Sequence, residues 1–244
     1  MLGYMEPKRL NKYLVEAGVC SRREADRLIA AGKVLVNNVP AELGVKVDGT
    51  EQIVVNGKAV DKPSGDYVYL AYYKPVGVIC TADPEAAGNI IQAVNYPERL
   101  FTVGRLDVGS SGLILLTNDG EVANKITQAK GQHEKEYLVT IDRRITPEFL
   151  HAMATGIEIL GRKTMPAQVE QVDDTTFMIT LVEGRNRQIR RMCEAMNVNV
   201  KALKRTRVMN IELGDLRIGE WRHLTPTEVK ELLGSLHLNH SSAF

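Results

Sequence analysis

The sequence has few cysteines and few aromatic residues, and it has no long apolar run. It contains three cysteines in 244 residues, and they form no CxxC pair and no cluster with histidine. A disulfide framework and a structural zinc site are therefore not expected. No apolar stretch reaches the roughly 18 residues that a membrane-spanning helix needs, and the first nine residues include no signal-peptide core. These shortages predict a cytoplasmic protein without a membrane partner.

Motifs for metals, nucleotides and hydrolytic nucleophiles are also missing. The five histidines are scattered without the spacing of metal ligands. The chain contains no P-loop, GxGxxG, GxSxG or HExxH motif. Asp173 and Asp174 are adjacent, but neighbouring residues in a turn point apart and are more typical of a hairpin than of a magnesium site. We therefore expect neither a metal nor an organic cofactor.

The net charge of +1 conceals two strongly basic segments. Residues 8–33 contain seven lysines and arginines against three acidic residues, and residues 185–207 contain eight against one. Neutralisation of phosphates supplies most of the non-specific affinity for nucleic acids. Either segment alone could be an ordinary solvated face. Two of them, with different local patterns, favour two surfaces that bind RNA.

Residues 1–62 are predicted to form a separate module of two helices and a small β unit. Apolar residues recur at helical spacing between Leu10 and Ala17. Ser21 and Glu24 form a predicted capping box at the start of the second helix. The apolar stripes leave a cationic face uncovered, which consists of Arg9, Lys12, Arg22, Arg23 and Arg27.

Three segments of this module carry a family resemblance. Arg9–Leu14, Cys20–Ala25 and Gly32–Asn37 occur in the order typical of the S4 (α-L) RNA-binding domain, which the module resembles. The resemblance implies that the basic helical face binds structured RNA, mainly through phosphates. We predict an S4 domain over residues 1–62 and a linker over residues 63–66.

Residues 67–244 are predicted to form an α+β domain. Strand and helix patterns intermix without a regular βαβα alternation, and residues 169–172 pair with residues 177–182 in a predicted hairpin. Proline in the first turn marks helices that begin after Thr146 and Thr225. A mixed, largely antiparallel sheet with flanking helices is the architecture that fits this pattern.

One loop of this domain presents a candidate nucleophile. Arg105 and Asp107 lead into a stretch of small residues, Val108–Gly112, that a substrate could approach closely. A carboxylate in a loop is most often a turn residue. A neighbouring cation favours the ionised form that a nucleophile requires. The loop alone therefore leaves both interpretations open.

Four segments of the domain together resemble a known enzyme family. They are Lys74–Gly77, Gly104–Asp107 with Ser111–Leu113, Lys135–Val139 and Gly184–Met192. Their order is similar to the successive motifs of the RsuA/RluA-type pseudouridine synthases. The S4 module is typical of the RsuA branch, which includes the RluB, RluE and RluF types. Within that branch, residues 133–139 and 205–210 most resemble the RluF type.

The resemblance, which spans about residues 8–230, implies specific roles. Asp107 is the implied nucleophile, at C6 of the base or C1′ of the sugar, and Arg190 is the implied partner of its carboxylate. Tyr137 is implied to stack on the target base and to assist removal of the C5 proton. Arg105 is implied to displace the base from its helical stack, and Ile189 to form an apolar wall. From position alone, Tyr137 and Ile189 would be core residues and Arg190 a solvated or phosphate-binding arginine.

Further cations are candidates for contacts with RNA phosphates around this pocket. They are Arg185, Arg187, Arg191, Lys204, Arg205 and Arg207. Lys74 and Pro75 are assigned an architectural role at the end of a strand. RluF-type proteins often carry a lysine-rich tail, whereas this sequence reads Ser241-Ser242-Ala243-Phe244 at its end.

The sequence thus predicts an enzyme that isomerises uridine to pseudouridine in 23S ribosomal RNA, with a tRNA anticodon uridine as a second substrate. Two alternatives stay open. One is a synthase of RsuA type that acts on 16S ribosomal RNA, and the other is a catalytically silent ribosome assembly factor. We expect a monomer that does not bind DNA, since neither basic segment has a helix-turn-helix or zinc-finger pattern.

Overall fold

The computed structural model describes residues 7–62, 66–81, 86–128 and 131–238. It divides the chain into two compact units, Met1–Asp66 and Tyr67–Phe244. Apart from Asp66, the predicted linker lies outside the described residues, and so do residues 239–244. The two units are described separately below.

The smaller unit consists of two helices and two small antiparallel sheets. Leu10, Tyr13 and Leu14 form the predicted buried stripe of the first helix. The Ser21 Oγ atom accepts a hydrogen bond from the Glu24 amide at 3.2 Å, which is half of the predicted capping box. The other half is not formed, because Glu24 pairs with Arg27 at 3.0 Å. The elements are β1 (Lys8–Arg9), α1 (Leu10–Glu16), α2 (Arg22–Ala30), β2 (Val34–Val36), β3 (Val39–Pro40), β4 (Lys46–Val47), β5 (Ile53–Val55) and β6 (Lys58–Ala59), with β1 paired to β4 and a sheet of order β3-β2-β5-β6.

The larger unit is built on a nine-stranded sheet. Its elements are β7 (Tyr69–Lys74), α3 (Ile90–Val94), β8 (Phe101–Val103), β9 (Ser111–Thr117), α4 (Gly120–Thr127), β10 (Lys135–Ile141), α5 (Pro147–Thr155), β11 (Glu158–Ile159), β12 (Arg162–Lys163), β13 (Gln168–Gln171), β14 (Thr176–Leu181), α6 (Gln188–Ala195), β15 (Val200–Val208), β16 (Ile211–Glu212), β17 (Trp221–His223) and α7 (Pro226–Ser235). The strand order is β13-β14-β10-β15-β9-β7-β17, with β16 added to β15 and β8 added to β9.

The pairing within this sheet confirms the predicted fold class. The β13–β14 hairpin is present, and β9 with β15 is the parallel pair in an otherwise antiparallel sheet of described strands. The helices α4 and α7 cover one face, while α3, α5 and α6 cover the other. Both faces are therefore buried under helices. Among the described residues, no helix combines the length and hydropathy that crossing a bilayer would require.

The strand β9 is where the sheet divides. The strand β7 occupies one edge of β9 from Gly112 to Thr117. On the other edge, β15 pairs with Ser111 and Gly112, and β8 pairs with Leu115 to Thr117. The carbonyl of Leu113 lies between these two partners and accepts a hydrogen bond from the Arg205 Nε atom at 2.7 Å. A buried guanidinium thus satisfies the backbone where β15 and β8 separate.

Glycine is required at position 112, in the fork that β15 and β8 form where they separate along one edge of β9. Gly112 has φ of 107°, and a Cβ atom there would lie 2.2 Å from the Arg205 carbonyl oxygen and 2.5 Å from its nitrogen. A side chain would therefore both strain the backbone and force β15 away from β9. Gly112 is the second residue of β9, just after the loop that connects β8 to β9. The close contact between Gly112 and Arg205 therefore fixes the position of this loop.

We predict that Gly112→Ala lowers the free energy of unfolding by about 2 to 5 kcal/mol, the sum of left-handed strain and overpacking. Gly161→Ala is the matched control, because Gly161 has φ of 70° and a Cβ atom there would meet nothing within 4 Å. The control should lose only about 1 kcal/mol. Denaturant unfolding of both variants measures the difference, and equal losses would contradict the steric argument.

Candidate active site

The loop that follows β8 carries Asp107 into the open end of the fork. The Asp107 carbonyl accepts a hydrogen bond from the Ser110 amide at 3.0 Å, which closes a tight turn. The Val108 carbonyl accepts one from the Gly77 amide at 2.9 Å, which ties this loop to the segment after β7. The Asp107 side chain is 34% exposed, so its carboxylate is held in place and can still be reached by a ligand.

Two arginines at the start of α6 contact this loop. The Arg190 Nη2 atom donates to the Gly109 carbonyl at 2.7 Å and to the Ser110 hydroxyl at 3.3 Å. Among the described residues, the ion pair of Asp107 is made by Arg187, whose Nη1 atom lies 3.8 Å from the Asp107 Oδ2 atom. The direct pairing of Arg190 with Asp107 stays a prediction, and in this structure Arg190 contacts the loop backbone beside Asp107.

Arg190 is nevertheless close enough to Asp107 for the two charges to interact. Burial and the charge of Arg187 lower the Arg190 pKa from its ordinary value, and Asp107 opposes this shift. The Arg190 Nε atom is buried without a hydrogen-bond partner among the described residues. A buried, incompletely paired guanidinium has a donor to spare for a ligand or for the carboxylate.

Lys74 contributes a third positive charge at the end of β7. Its side chain is fully buried, and the Nζ atom donates to the carbonyls of Pro75 and Val78 at 2.8 and 2.9 Å. Burial lowers the Lys74 pKa, while the Cys80 thiol and the Asp107 carboxylate oppose this change. The predicted architectural role of Lys74 is thus present, with an electrostatic role beside it. A lone lysine closing an apolar strand was the signal in the sequence.

The strand register places the remaining site residues in one row. Tyr137 is the partner of Arg205, Arg205 is the partner of Gly112, and Gly112 is the partner of Lys74. Cross-strand partners project from the same face of a sheet. Tyr137 is half-buried and packs against the core clusters on both sides of this row. The structure therefore brings Tyr137 to the same face as Lys74, next to the fork that carries Asp107.

Ile189 lies in the core beneath this region. It is 3% exposed and belongs to the cluster formed by α5, α6, β10 and β14. Tyr137 packs against the same cluster. The role of Ile189 as an apolar wall of a substrate pocket stays a prediction, and packing under Tyr137 is what the structure shows.

The structure divides the predicted phosphate-binding cations into two groups. Arg185 is used internally, because it pairs with Glu183 at 3.1 Å and donates to two backbone carbonyls. Arg205 is 2% exposed, and Arg207 pairs with Glu134 at 3.0 Å and with Glu136 at 3.8 Å. In this structure these three side chains are used in internal contacts, and their predicted contacts with RNA phosphates stay a prediction. The accessible candidates are Arg105, Arg187, Arg191 and Lys204.

The cationic face of the smaller unit is also divided by ion pairs. Lys12 lies 3.6 Å from Glu16, and Arg27 lies 3.0 Å from Glu24. Arg9, Arg22 and Arg23 are exposed, and none of them has an ion pair with a described residue. All three lie at or next to the first turn of a helix. They are therefore the cations of this unit most available to phosphate.

A second concentration of positive charge lies on β10 and β15. The Lys135 Nζ atom donates to the His133 carbonyl at 2.9 Å. Burial and the charge of Arg205 lower the Lys135 pKa to about 8. The nearby carboxylates Glu134 and Glu136 pair with Arg207 instead.

Among the described residues, no group of three or more histidine, cysteine or acidic side chains could hold a metal ion.

Both units of the chain are similar to known proteins. Residues 68–195 match the family described as RNA pseudouridylate synthase, and residues 8–53 match the S4 domain. The chain is 47% identical over 236 residues to the dual-specificity RNA pseudouridine synthase RluF of Escherichia coli O6:H1, which covers 96% of this chain and 81% of that protein. It is 42% identical over 234 residues to ribosomal large subunit pseudouridine synthase B of Bacillus subtilis, covering 92% and 95% of the two chains. A crystal structure of a pseudouridylate synthase is 33% identical, with a TM-score of 0.68 and coverage of 92% and 99%.

The Lys135 pKa generates a prediction about stability. Because this pKa is about 8 in the folded chain and 10.5 ordinarily, the buried charge is destabilising below pH 8, and the cost falls as the pH rises from 8 to 10.5. Lys135→Met should therefore raise the free energy of unfolding at pH 7, by on the order of 1 to 3 kcal/mol. The gain should shrink by pH 10.

Denaturant unfolding at pH 7 and pH 10 measures this difference between the parent and the variant. Lys163→Met, which replaces an exposed lysine of the same unit, is the control and should change little at either pH. A gain from Lys135→Met that is equal at both pH values would show that the buried charge is not its cause.

Proposed function

The chain belongs to the RNA pseudouridylate synthase family and carries an S4 domain, and on this premise we propose that it isomerises uridine in 23S ribosomal RNA and in a tRNA anticodon. The predicted family resemblance, its RluF type and its enzyme class are confirmed by the identities reported above. The relative from E. coli is a dual-specificity enzyme by name, and the relative from B. subtilis is named for the large ribosomal subunit. These names support the two proposed substrates.

The observation that carries the proposed mechanism is the position of Asp107. Its carboxylate is exposed at the mouth of the fork, with Arg187 at 3.8 Å and the charges of Lys74 and Arg190 acting on it. A carboxylate in this setting can attack C6 of the base or C1′ of the sugar. In attack at C1′, the bond from Asp107 to C1′ forms as the bond between N1 and C1′ breaks, the base turns, and C5 then bonds to C1′ and displaces the Asp107 carboxylate. In attack at C6, the bond between N1 and C1′ breaks in the adduct, C5 bonds to C1′ after the base has turned, and the bond from C6 to Asp107 then breaks to release the carboxylate.

Tyr137 is proposed to act on the base during this rearrangement. It lies on the sheet face next to the fork, half-buried between two core clusters, so its ring is held in place by packing. Such a ring can stack on uracil and assist the loss of the C5 proton, while N1 gains a proton. The positive charges around Asp107 would stabilise negative charge that develops on the separated base.

The target uridine must leave its helical stack to reach Asp107. Arg105 is exposed and lies two residues before Asp107, which suits it to occupy the vacated position. Arg187, Arg191 and Lys204 are proposed to contact phosphates around the pocket. The S4 domain binds RNA, and we assign its phosphate contacts to Arg9, Arg22 and Arg23. We further propose that the enzyme acts in the cytoplasm as a monomer, without DNA.

We predict that Asp107→Asn lowers the rate of pseudouridine formation at least about a thousandfold, because the amide cannot act as the nucleophile. RNA affinity should stay within about threefold, since Asp107 contributes no positive charge to phosphate binding. Asp215→Asn, which changes an exposed carboxylate of the same unit, is the matched control and should retain full activity. Turnover by the Asp107→Asn variant would remove Asp107 from the chemistry.

Pseudouridine mapping by carbodiimide treatment and primer extension identifies the substrate. Unmodified 23S, 16S and tRNA transcripts are incubated separately with the parent and with Asp107→Asn. New stops in 23S RNA and tRNA that depend on Asp107 would support the proposal. A stop confined to 16S RNA would favour the RsuA-type alternative, and RNA binding without any product, also on assembly intermediates, would favour the assembly factor.

The unpaired arginines of α2 generate a second prediction. Arg22→Ala with Arg23→Ala should raise KM and leave kcat unchanged, because these arginines are proposed to contact phosphates and to take no part in the chemistry. The slope of log affinity against log salt should become shallower by roughly 1.5 to 2. Lys58→Ala with Lys62→Ala removes the same charge from exposed positions of the same unit and is the control. Equal effects from both pairs would indicate net charge rather than a specific surface.

A further inference from the structure

Three aromatic rings form a cluster at the free edge of the large sheet. Trp221 and Tyr96 have ring centroids 5.3 Å apart, Trp221 and His223 are 5.6 Å apart, and Tyr96 and His223 are 5.9 Å apart. All three pairs meet edge to face, at 70° to 84°. Each ring therefore fixes the other two, and the cluster is preorganised.

Trp221 is both anchored and exposed. Its Nε1 atom donates to the Val94 carbonyl at 3.1 Å, which satisfies the polar atom of the indole. The residue is nevertheless 37% exposed, and it is the only tryptophan in the sequence. His223 is exposed beside it. What the cluster offers to solvent is thus an aromatic surface whose indole N–H is already used, which suits stacking better than hydrogen bonding.

The cluster lies on the sheet face that carries the candidate active site. Trp221 is the cross-strand partner of Tyr72 and His223 of Leu70, and both partners belong to the core cluster on that face. Lys74 lies on the same side of β7 as Tyr72, two residues further along the strand. From strand spacing and rise, the Cα atoms of Trp221 and Lys74 are roughly 8 Å apart. An RNA strand that enters the active site could therefore also reach the cluster.

We propose that Trp221, supported by Tyr96 and His223, stacks an unpaired base of the RNA substrate a few nucleotides away from the target uridine. This inference rests on the proposed function, because it assumes that RNA occupies the catalytic face. Every base has an aromatic face, so the cluster increases affinity for single-stranded RNA without reading its sequence. The stacked base would also hold the catalytic domain on the RNA loop that contains the target uridine.

The single tryptophan makes the contact directly measurable. The full-length protein is titrated with the unmodified transcript that the mapping experiment identifies as its substrate. Tryptophan emission should be quenched and the indole protected from acrylamide, with the same Kd as filter binding. A fully paired duplex of equal length should bind with little quenching, because its bases are not available for stacking. Unchanged emission and acrylamide access while filter binding shows bound RNA would overturn the inference.

Steady-state kinetics provides the second measurement. Trp221→Leu should raise KM about 5- to 100-fold with kcat within about twofold, the range for loss of one stacked base. Trp221→Phe keeps an aromatic face and should stay within about threefold of the parent. Val172→Ala, at another exposed apolar position of the same unit, is the control. If the Leu and Phe variants have equal KM values, Trp221 only covers the core and the inference fails.

Independent measurements distinguish a failure of the stacking proposal from loss of folding and from a failure of the proposed function. Circular dichroism melting of Trp221→Leu reports whether the domain is intact, and Trp221→Phe tests the same position if the Leu variant unfolds. Quenching without pseudouridine formation would contradict the proposed function and support the RNA contact. Pseudouridine formation without quenching would contradict the contact and leave the proposed function standing.

Discussion

The close approach of the Gly112 and Arg205 backbones is the constraint on which the candidate site depends. It allows β15 to lie parallel to β9 over two residues and then to separate, so that β8 takes its place along the same edge. The Arg205 guanidinium satisfies the Leu113 carbonyl that this separation exposes. The loop bearing Asp107 leaves the sheet at that point, so its position follows from sheet geometry.

The cations near Asp107 position the loop backbone as well as interacting with the carboxylate. Lys74 and Arg190 each donate to loop carbonyls, and burial lowers both of their pKa values. Such groups are costly to the fold, since a buried cation bound to carbonyls alone is under-compensated. A site that must receive an anion tolerates that cost, because ligand charge completes the pairing. Stability and activity are therefore in opposition around Asp107.

Local patterns in the sequence were sufficient to predict the fold class and the β13–β14 hairpin, whereas the role of Asp107 was predicted from the order of four motifs and not from its loop. The partners of the charged residues could not be predicted from them. The basic segment at 185–207 has one acidic residue, yet Arg185 pairs with Glu183, just outside the segment, and Arg207 pairs with Glu134, 73 residues earlier in the chain. Counting charges within the segment misses both partners, and the second pair is created by a tertiary contact. The different contacts of Arg187 and Arg190 have the same origin, since two arginines at one helix start differ only in what the fold places opposite them.

The hydrogen bond between Arg205 and Leu113 joins residues 92 positions apart, whereas the pairings of the smaller unit close within its own 66 residues. Loops that long close late, because their entropy is lost before the contact is gained. During synthesis, domains form from the amino terminus onward. The growing chain therefore acquires its RNA-binding surface while the strand that completes the catalytic fork is still untranslated. An early chain is a binder first and a catalyst only after β15 has emerged.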